Sequence, residues 1–399
     1  MTDERAFSGI KVLDFTQGVA GPHCTMLLAQ HGADVIKVEP LDGDWGRTLG
    51  RMYDDACAHS IAFNRGKRSL AMDMKQPDAQ AIARKMAAEC DVIVEAFRPG
   101  VMERFGLSYE QVREANPNVI YLSVTGFGQI GPNSKLPVTD AVIQAFSGLM
   151  TVNKDSQGLP NRLNMIPVDV VTGLYAFQSI STALMRKFRY GKGCYVDGNL
   201  MQSAAAFQAA KIMEFHLEGG EPQVLYVPVG TMKTSDGFIN ITAMREQHYQ
   251  SLCEVLGRED LAKDPRFENR DKRIENEAIL MPMIREAFLE RTTAEWAEAL
   301  TAAGVMNAPV QNYGDFMNHP HVQEVGAVAW VEHQGVGRVP MPHIPGQPRI
   351  EGESRFTEAP HIGQQTREIL GEWGYGEKDV ADFVSRQVVG IEPPKREAA

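Results

Sequence analysis

The strongest constraint on the fold is an alternation of short β-type segments with helical segments in the first third of the chain. The apolar, β-branched runs read as strands, and the stretches between them have helical spacing with glycine or proline near their ends. The predicted strands are residues 10–15, 34–38, 91–95 and 119–124, and the predicted helices are residues 20–31, 76–89, 99–105 and 109–115. Strands separated by such helices form a parallel sheet with helices on both faces. The pattern therefore predicts an α/β fold.

The character of the sequence changes past the middle of the chain. Helices are predicted at 170–185 and 199–218 with a strand at 194–196 between them, and 219–228 reads as a linker. A strand at 235–243 and three charged amphipathic helices follow, and the chain ends with a short strand at 327–331 and helices at 366–373 and 378–385. We predict three parts: residues 1–225, a small domain at 226–315, and a C-terminal part at 316–399.

Asp169 is the only charged residue between Arg162 and Arg186. A carboxylate removed from water costs several kcal/mol unless something stabilises it. The apolar approach at 165–168 and the helix at 170–185 predict that Asp169 lies at or near a helix N-cap, where backbone N–H groups and the helix dipole favour an anion. Two interpretations remain open at this point: a structural cap, or an anionic group with a chemical role.

Composition excludes several classes of function. The formal net charge of −11 argues against a general binder of nucleic acid or anionic membranes, and 43% hydrophobic residues permit a large core. The five cysteines are scattered without a CxxC pair, which indicates reduced thiols and a cytoplasmic protein. The N-terminus is polar and acidic, unlike a signal peptide, and the stretch around Asp169 is too polar for a membrane span.

Residues 126–131, GFGQIG, match the GxGxxG pattern of dinucleotide-binding folds and follow a predicted strand. That fingerprint requires a helix to open at once and an acidic residue about twenty positions on. Here PNSKLP follows, which cannot continue a helix, so we disfavour an NAD-binding interpretation. The chain has no GxSxG, P-loop or HExxH motif, and His319 and His321 lack further ligands nearby, so no metal site is predicted.

Several segments, taken in order, resemble the class III CoA-transferase family, also called the CaiB/BaiF family and typified by formyl-CoA transferase. The segments are GVAGPHCTMLLAQHGADVIKVEP (18–40), FNRGKRSLAMDMK (63–75), EAFRPGVMERFGL (95–107), SVTGFGQIGP (123–132), PVDVVTGLYA (167–176), GKGCYVDGNL (191–200), SDGFINITA (235–243) and DPRFENRDKR (264–273). The resemblance implies a large Rossmann-like α/β domain built from both chain ends, a small inserted α+β domain and an interlocked homodimer.

The resemblance also implies a chemistry, because Asp169 falls where the family's nucleophilic aspartate lies. CoA would pass from an acyl-CoA donor to a carboxylic acid acceptor through aspartyl anhydride and aspartyl-CoA thioester intermediates, without a metal. A helix N-terminus at Asp169 would hold the anion, and its N–H groups could stabilise the developing oxyanion.

Coenzyme A carries phosphate charges and therefore needs local cations despite the net negative charge. By resemblance, Arg98 and Arg104 face its nucleotide end, and Lys75 and the backbone around Met72 form the adenine-side loop. Gln17 and Gly18 match the loop near the pantetheine and thioester, and Gly126 lies in a loop beside CoA. Arg65, Lys67 and Arg68 can add to the positive field. Arg162, Arg245 and His248 are possible contacts for an acceptor carboxylate.

Two alternatives stay open. An α-methylacyl-CoA racemase of the same superfamily would need an acid/base pair, and racemases carry a histidine where this chain has Thr139, just before Asp140. A non-catalytic CoA-binding protein would bind CoA without turnover. One feature departs from the family: a run of glycines that covers the active site in some members is not evident, and residues 228–234 are the nearest stretch.

Overall fold

The computed structural model describes residues 5–155, 157–220 and 224–391, which divide into two compact units. The larger unit contains the chain up to Ala209 and again from Gly326, and the smaller unit spans Ala210–Val325. The larger unit is therefore built from both ends of the chain, as the family resemblance implied, and the smaller unit includes the predicted small domain.

The described elements run in chain order as follows. The strands are β1 (Lys11–Phe15), β2 (Asp34–Glu39), β3 (Arg68–Met72), β4 (Val92–Glu95), β5 (Ile120–Thr125), β6 (Cys194–Asn199), β7 (Val229–Lys233), β8 (Phe238–Thr242), β9 (Met306–Pro309), β10 (Val328–His333), β11 (Gly337–Pro342) and β12 (Val389–Gly390). The α-helices are α1 (Ala20–Gln30), α2 (Ala58–Asn64), α3 (Pro77–Ala87), α4 (Val101–Arg104), α5 (Tyr109–Ala115), α6 (Asp140–Phe146), α7 (Pro167–Tyr190), α8 (Leu200–Phe207), α9 (Ala209–Leu217), α10 (Glu246–Val255), α11 (Glu259–Lys263), α12 (Arg270–Glu275), α13 (Glu277–Ala287), α14 (Thr293–Ala302), α15 (Tyr313–Asn318), α16 (Pro320–Val325), α17 (Thr366–Glu372) and α18 (Glu377–Ser385). Short 3₁₀ helices occur at Trp45–Thr48, Leu149–Val152 and Phe288–Glu290.

A seven-stranded sheet in the order β12-β3-β2-β1-β4-β5-β6 organises the larger unit. Strands β1 to β6 are parallel to their neighbours, and only the edge strand β12 pairs antiparallel, with β3. The order 3-2-1-4-5-6 is that of doubly wound dinucleotide-binding folds, and it reverses direction between β1 and β4. The predicted parallel α/β sheet is confirmed, although strand β3 was not predicted, because the sequence RSLAM carries little β-type signal.

Strands β1 to β5 are buried on both faces of the sheet, whereas the edge strand β6 is partly exposed. Successive residues of β1 alternate between two apolar cores, with Leu13 on one face and Val12 on the other. The first core also takes in Trp373 and Val380 from the C-terminal helices, and the second takes in Val168 and Ile180 of α7. Packing on both faces holds the parallel strands in place. The candidate site lies at their carboxyl ends.

Helix α7 supports one side of the candidate site. It begins at Pro167, a residue suited to the first helical position, and ends at Gly191 in the left-handed conformation. The prediction that Asp169 lies at or near a helix N-cap is confirmed, because Ile166 is the N-cap and Asp169 is the third residue of the first turn. The predicted single helix over 199–218 is wrong: β6 extends to Asn199, whose side chain caps α8, and α8 and α9 are separate helices.

The smaller unit has its own core. An antiparallel sheet in the order β7-β8-β9 packs with helices around buried aromatic and aliphatic side chains, among them Tyr249, Phe267 and Trp296. Its central strand and charged helices follow the predicted pattern, and strand β9, MNAP, was not predicted. Strands β10 and β11 form a separate antiparallel pair in the larger unit.

Candidate active site

A cavity of about 500 Å³ opens at the carboxyl ends of β1, β4 and β5 in the larger unit. In open parallel sheets, ligands bind at this edge, where the strand order reverses. Residues that line the cavity include Gln17, Trp45, Arg98, Gly126, Thr139, Asp140, Arg162, Ile166, Asp169 and Leu200. Four of the predicted site residues therefore lie on one cavity: Gln17, Arg98, Gly126 and Asp169.

Asp169 is held in the first turn of α7 and is only partly accessible to water. Burial, and after it the negative charge of Asp140, raise the pKa of Asp169 from its usual value near 3.8 to about 7. A carboxylate in this position is ionised in part at neutral pH and is poorly hydrated. That combination suits a nucleophile toward an acyl carbon, because little solvent must be stripped away before attack.

Asp140 is the first residue of α6 and is almost fully buried beside the start of α7. Its Oδ2 accepts hydrogen bonds from the backbone N–H groups of Val168 and Asp169, at 2.7 and 3.0 Å. Its Oδ1 accepts a short hydrogen bond from the Gln144 side chain. Asp140 is therefore the cap of α7, and it places a second carboxylate next to Asp169.

The expected role of the helix N–H groups is corrected by this arrangement. Pro167 has no N–H group, those of Val168 and Asp169 donate to Asp140, and that of Val170 donates to the carbonyl of Ile166. The N-terminal N–H groups of α7 are thus occupied and do not point at a developing oxyanion on the substrate.

The loop after β1 carries Gln17 and Gly18. Gly18 has a φ of 79°, and a Cβ there would lie 2.2 Å from a ring carbon of Trp45, so only glycine fits. Its N–H donates to Asp44 Oδ1 at 2.9 Å, and that oxygen also accepts from the N–H of Gly46. Gly18 does not itself line the cavity, but it fixes the path of the loop between Gln17 and Trp45, which do.

A buried ion pair between Lys37 and Asp44 supports the loop after β1. Lys37 Nζ donates to Asp44 Oδ2 at 2.8 Å and to the carbonyl of Thr16 at 2.9 Å, and both charged side chains are fully buried. Burial alone would lower the pKa of Lys37, but Asp44, Asp14 and Glu39 raise it above its ordinary value. Lys37 therefore stays charged and ties β2 to the residue next to Gln17.

Lys67 belongs to a second buried pair, with Asp14, at 3.1 Å. Burial lowers the pKa of Lys67 to about 8, although Asp14 acts in the opposite direction. Arg68 pairs with Asp34 and with glutamates of α17, and Arg65 is buried. None of these three basic residues lines the cavity, so their predicted contribution to a positive field there comes from a distance only.

Arg98 is exposed on the loop after β4 and lines the cavity. The loop is shaped by Glu95, whose carboxylate accepts the N–H of Phe97 at 2.8 Å. Burial raises the pKa of Glu95 to about 7. Arg98 thus presents a cation at the cavity wall, with its loop anchored to the end of a buried strand.

Gly126 directly follows β5 and lies next to Val138, another lining residue. A Cβ at Gly126 would lie 2.0 Å from a methyl group of Val138, so the close approach of the two segments requires glycine. The residues after Gly126 do not open a helix, since α6 begins only at Asp140. The GxGxxG match therefore lacks the geometry of a dinucleotide site, yet its first glycine still borders the cavity.

Three predicted CoA-binding residues lie away from the cavity. Met72 is buried in β3, where its backbone pairs with Val389. Lys75 is exposed beyond the end of β3, and Arg104 is exposed at the end of α4. The structure does not bring these residues to Asp169, so their assignment to the nucleotide end of CoA stays a prediction.

The three residues predicted to contact an acceptor carboxylate do not all line the cavity. Arg162 lines the cavity with Asp169, whereas Arg245 and His248 belong to the smaller unit, at the start of α10. Among the described residues, Asp54, Asp55 and His361 are close enough together to hold a metal ion, but none of them lines this cavity. Asp55 already accepts hydrogen bonds from His361 and the N–H of Ile362.

Asp140, Lys37 and Asp44 are the residues that sequence reasoning missed. The sequence could have indicated a buried ion pair at Lys37. This residue lies inside the predicted strand DVIKV, where a buried charge requires a partner. Asp140 had a weaker signal: it directly follows Thr139 at the start of an apolar helical pattern, but nothing local places it against α7, 28 residues later.

Comparison with known proteins gives consistent matches over most of the chain. Residues 7–366 match the profile of CoA-transferase family III. Human succinyl-CoA:glutarate CoA-transferase is 34% identical over 98% of this chain and 91% of its own, and acetyl-CoA:oxalate CoA-transferase of Acetobacter aceti is 33% identical over 79% and 83%. The crystal structure of a CAIB/BAIF family protein from Brucella suis has 29% identity and a TM-score of 0.82, covering 93% of this chain and all of that one. Within the described residues, no helix combines the length and apolar character that crossing a bilayer requires.

Proposed function

This chain belongs to CoA-transferase family III and is an acyl-CoA:carboxylate CoA-transferase, and on that premise we propose that it transfers CoA through covalent intermediates on Asp169. The observation that carries the proposal is a partly desolvated carboxylate with a pKa near 7 on the wall of a cavity at the switch point of the sheet. Strongly shifted carboxyl groups in clefts are typical of catalytic sites.

The first half of the reaction removes CoA from the donor. An oxygen of the ionised Asp169 attacks the thioester carbonyl, the C–S bond breaks, and a mixed anhydride and CoA thiolate form. The thiolate then attacks the aspartyl carbonyl, and the donor acid leaves as its carboxylate. The product of this half is an aspartyl-CoA thioester on Asp169.

The second half repeats the same bond changes in reverse. The acceptor carboxylate attacks the aspartyl carbonyl, which releases CoA thiolate and forms a second mixed anhydride. The thiolate attacks the acceptor's acyl carbon, so that a new acyl-CoA leaves and the Asp169 carboxylate is regenerated. These steps need neither a redox cofactor nor a metal, but water must be kept away from the anhydride and thioester.

In the proposed mechanism, Asp140 raises the pKa of Asp169 and holds the start of α7. A like charge nearby destabilises the ionised resting carboxylate, and its repulsion is relieved when Asp169 becomes acylated. Since the N–H groups of α7 are occupied, oxyanion stabilisation is assigned to other donors at the cavity. The Gln17 side chain on the β1 loop is the candidate.

CoA is proposed to lie across the carboxyl edge of the sheet. Gln17, Gly18 and Gly126 border the pantetheine and thioester end, and Arg98 supplies a cation for phosphate. The more distant Lys75, Arg104 and the backbone at Met72 are assigned to the nucleotide end. CoA is too long to lie wholly inside a cavity of about 500 Å³, so its nucleotide end is assigned to residues outside the cavity.

We propose short dicarboxylic acids as the substrate class. Two relatives that match most of this chain are named for dicarboxylates, glutarate with succinyl-CoA in one case and oxalate in the other. The cavity is lined by the cationic side chains of Arg98 and Arg162 and by an apolar wall that includes Ile166 and Leu200. This combination suits a short acid with a second charged group at its far end.

No described residue favours the racemase alternative. Thr139 lines the cavity at the position where racemases carry a histidine, and none of the described lining residues is a histidine. A non-catalytic CoA-binding protein stays distinguishable by experiment, because it would tolerate replacement of Asp169.

We also propose that the protein is a homodimer, and an interlocked one. Leu174, Met185 and Phe188 are exposed on one side of α7, with the polar Gln178 and Ser181 between Leu174 and the other two. Large apolar side chains exposed on one side of a helix favour an interface.

The proposed mechanism is tested by trapping. Wild-type protein incubated with succinyl-CoA and hydroxylamine should carry a hydroxamate on Asp169, detectable by peptide mass spectrometry, and should exchange CoA between succinyl-CoA and glutarate. Asp169→Asn should lose both signals while it still binds CoA. Asp271→Asn, an exposed carboxylate on α12, is the matched control. CoA exchange that persists in Asp169→Asn would refute the mechanism.

A further inference from the structure

Arg162 lies on the cavity wall that also carries Asp169, seven residues earlier in the chain. It belongs to the segment between the 3₁₀ helix Leu149–Val152 and α7, and its side chain is exposed. An exposed arginine on a surface loop is ordinary. An arginine whose loop is clamped at the mouth of a reactive cavity can select substrates.

The backbone around Arg162 is anchored on both sides. The Asn153 side chain donates to the carbonyl oxygens of Asn161 and Arg162, at 3.1 and 3.3 Å. On the other side, the N–H of Leu163 donates to the Gln144 side chain at 2.9 Å. Gln144 also contacts Asp140, so the support of the Arg162 segment and the cap of α7 share one side chain.

The guanidinium group of Arg162 is little used within the protein. Within the described residues it donates one hydrogen bond, to the Asn164 side chain, at 3.3 Å. No acidic side chain of the described chain forms an ion pair with it, and nearby Asp155 is occupied by the N–H groups of Gln157 and Leu159. Arg162 therefore retains donors for a ligand in the cavity.

The charges of the cavity indicate which ligand group Arg162 takes. Asp140 and Asp169 both repel an incoming carboxylate, and the cationic side chains among the described lining residues are Arg98 and Arg162. Arg98 stands on the loop after β4, where the CoA phosphates are assigned. Arg162 is thus the cation left for the acid, and a guanidinium pairs with a carboxylate through two parallel hydrogen bonds.

We propose that Arg162 binds the second carboxylate of a dicarboxylic acid, so that it selects dicarboxylates over monocarboxylates of the same length. The inference rests on the proposed function. The first carboxylate of the acid meets Asp169, and the far carboxylate reaches Arg162. Because both acyl groups pass through one site, the same contact selects succinyl-CoA over butyryl-CoA as the donor.

The test compares matched acids in wild type, Arg162→Met and Arg162→Lys. The acceptors are glutarate and valerate, and the readout is the ratio of their kcat/KM values with one donor. In Arg162→Met we expect kcat/KM for glutarate to fall by roughly 10- to 100-fold, the size expected when a hydrogen bond to a charged group is lost, with kcat/KM for valerate nearly unchanged. Arg162→Lys should recover part of the preference for glutarate over valerate, because a lysine keeps the positive charge but lacks the two parallel N–H donors of the guanidinium group.

Arg285→Met, an exposed arginine on α13, is the control for loss of a surface charge. Hydroxamate formation on Asp169 from succinyl-CoA and from butyryl-CoA gives a second readout that needs no acceptor. Equal losses for glutarate and valerate, or no loss for glutarate, would overturn the role of Arg162. A wild-type protein that transfers CoA to no acid would instead refute the proposed function, and that result is obtained before any Arg162 variant is made.

Discussion

At the scale of single residues, the proposed chemistry depends on the pairing of Asp140 with Asp169. A nucleophilic carboxylate must be ionised to react, so a pKa near 7 makes the attack of Asp169 depend on pH in the neutral range. In the wild type, acylation of Asp169 should accelerate as the pH rises through about 7.

Asp140→Asn tests the origin of that shift. The asparagine oxygen can still accept the N–H groups of Val168 and Asp169, but the negative charge is gone. We expect the pKa that controls acylation to fall below 7, so that the rate at pH 6 rises relative to the rate at pH 8. The measurement is the pH dependence of hydroxamate formation on Asp169 from succinyl-CoA.

Asp140→Ala separates the two roles of this residue. It removes both charge and cap, so thermal unfolding should occur at a lower temperature than in Asp140→Asn, by the equivalent of about 1 kcal/mol or more. If the pH profile of Asp140→Asn equals that of the wild type, burial alone sets the pKa of Asp169.

Asp169 also illustrates how far sequence reasoning reaches at this scale. Its isolation in an apolar stretch and its place in an ordered set of motifs singled it out. Its neighbour Asp140 could not be found, because the contact joins α6 to α7 across a loop and depends on where that loop folds. Arg162 was named from the sequence as a possible acceptor contact together with Arg245 and His248, but its position on the cavity depends on the hydrogen bonds of Asn153 and Gln144.

At the scale of elements, the loop after β1 depends on the buried Lys37–Asp44 pair. Lys37→Met leaves the Asp44 carboxylate buried without its cation, and removal of one partner of a buried pair destabilises a protein by about 3–5 kcal/mol. We therefore expect urea to unfold Lys37→Met at a clearly lower concentration than it unfolds the wild type. The KM for acyl-CoA should also rise, since Gln17 and Gly18 lose their support.

The double variant Lys37→Met/Asp44→Asn is the informative partner. An asparagine oxygen still accepts the N–H of Gly18 without leaving a buried charge, so much of the lost stability should return. Lys378→Met, an exposed lysine on α18, serves as the surface control. A double variant no more stable than Lys37→Met would contradict the ion-pair explanation.

Elements with strong periodicity were predicted well, and those defined by distant partners were not. Strands β1, β2, β4 and β5 and helices α1, α3 and α5 occur where their apolar patterns place them. Strand β3 is short and polar at its start, and it is stabilised by its pairing with β2 and β12. The break between α8 and α9 likewise lies in an apolar, alanine-rich run without glycine or proline.

At the scale of the whole molecule, the sheet needs both ends of the chain and the proposed dimer needs two chains. Size-exclusion chromatography with light scattering should give the mass of a dimer, and Phe188→Glu on α7 should reduce the yield of dimer by placing a charge among the exposed apolar residues of this helix. Arg285→Glu is the control. A wild-type protein that is monomeric at micromolar concentration would contradict the dimer.

Interlocking adds a separate expectation. Two differently tagged preparations should not exchange subunits when they are mixed in their native state, but should form mixed dimers after joint unfolding and refolding. Rapid exchange without unfolding would show that the chains pair side by side.

The two adjacent carboxylates have a consequence for the energy of the protein through the proposed catalytic cycle. In the resting state, the charge on Asp169 is held where burial and Asp140 both disfavour it. Converting Asp169 to a neutral anhydride or thioester, as proposed, would remove one of the two charges and leave Asp140 as the cap of α7. The fold is then under less electrostatic strain when it carries the intermediate than when it is empty. On this view the resting enzyme stores electrostatic energy in the repulsion between the two carboxylates. Formation of the proposed covalent intermediate would release that energy.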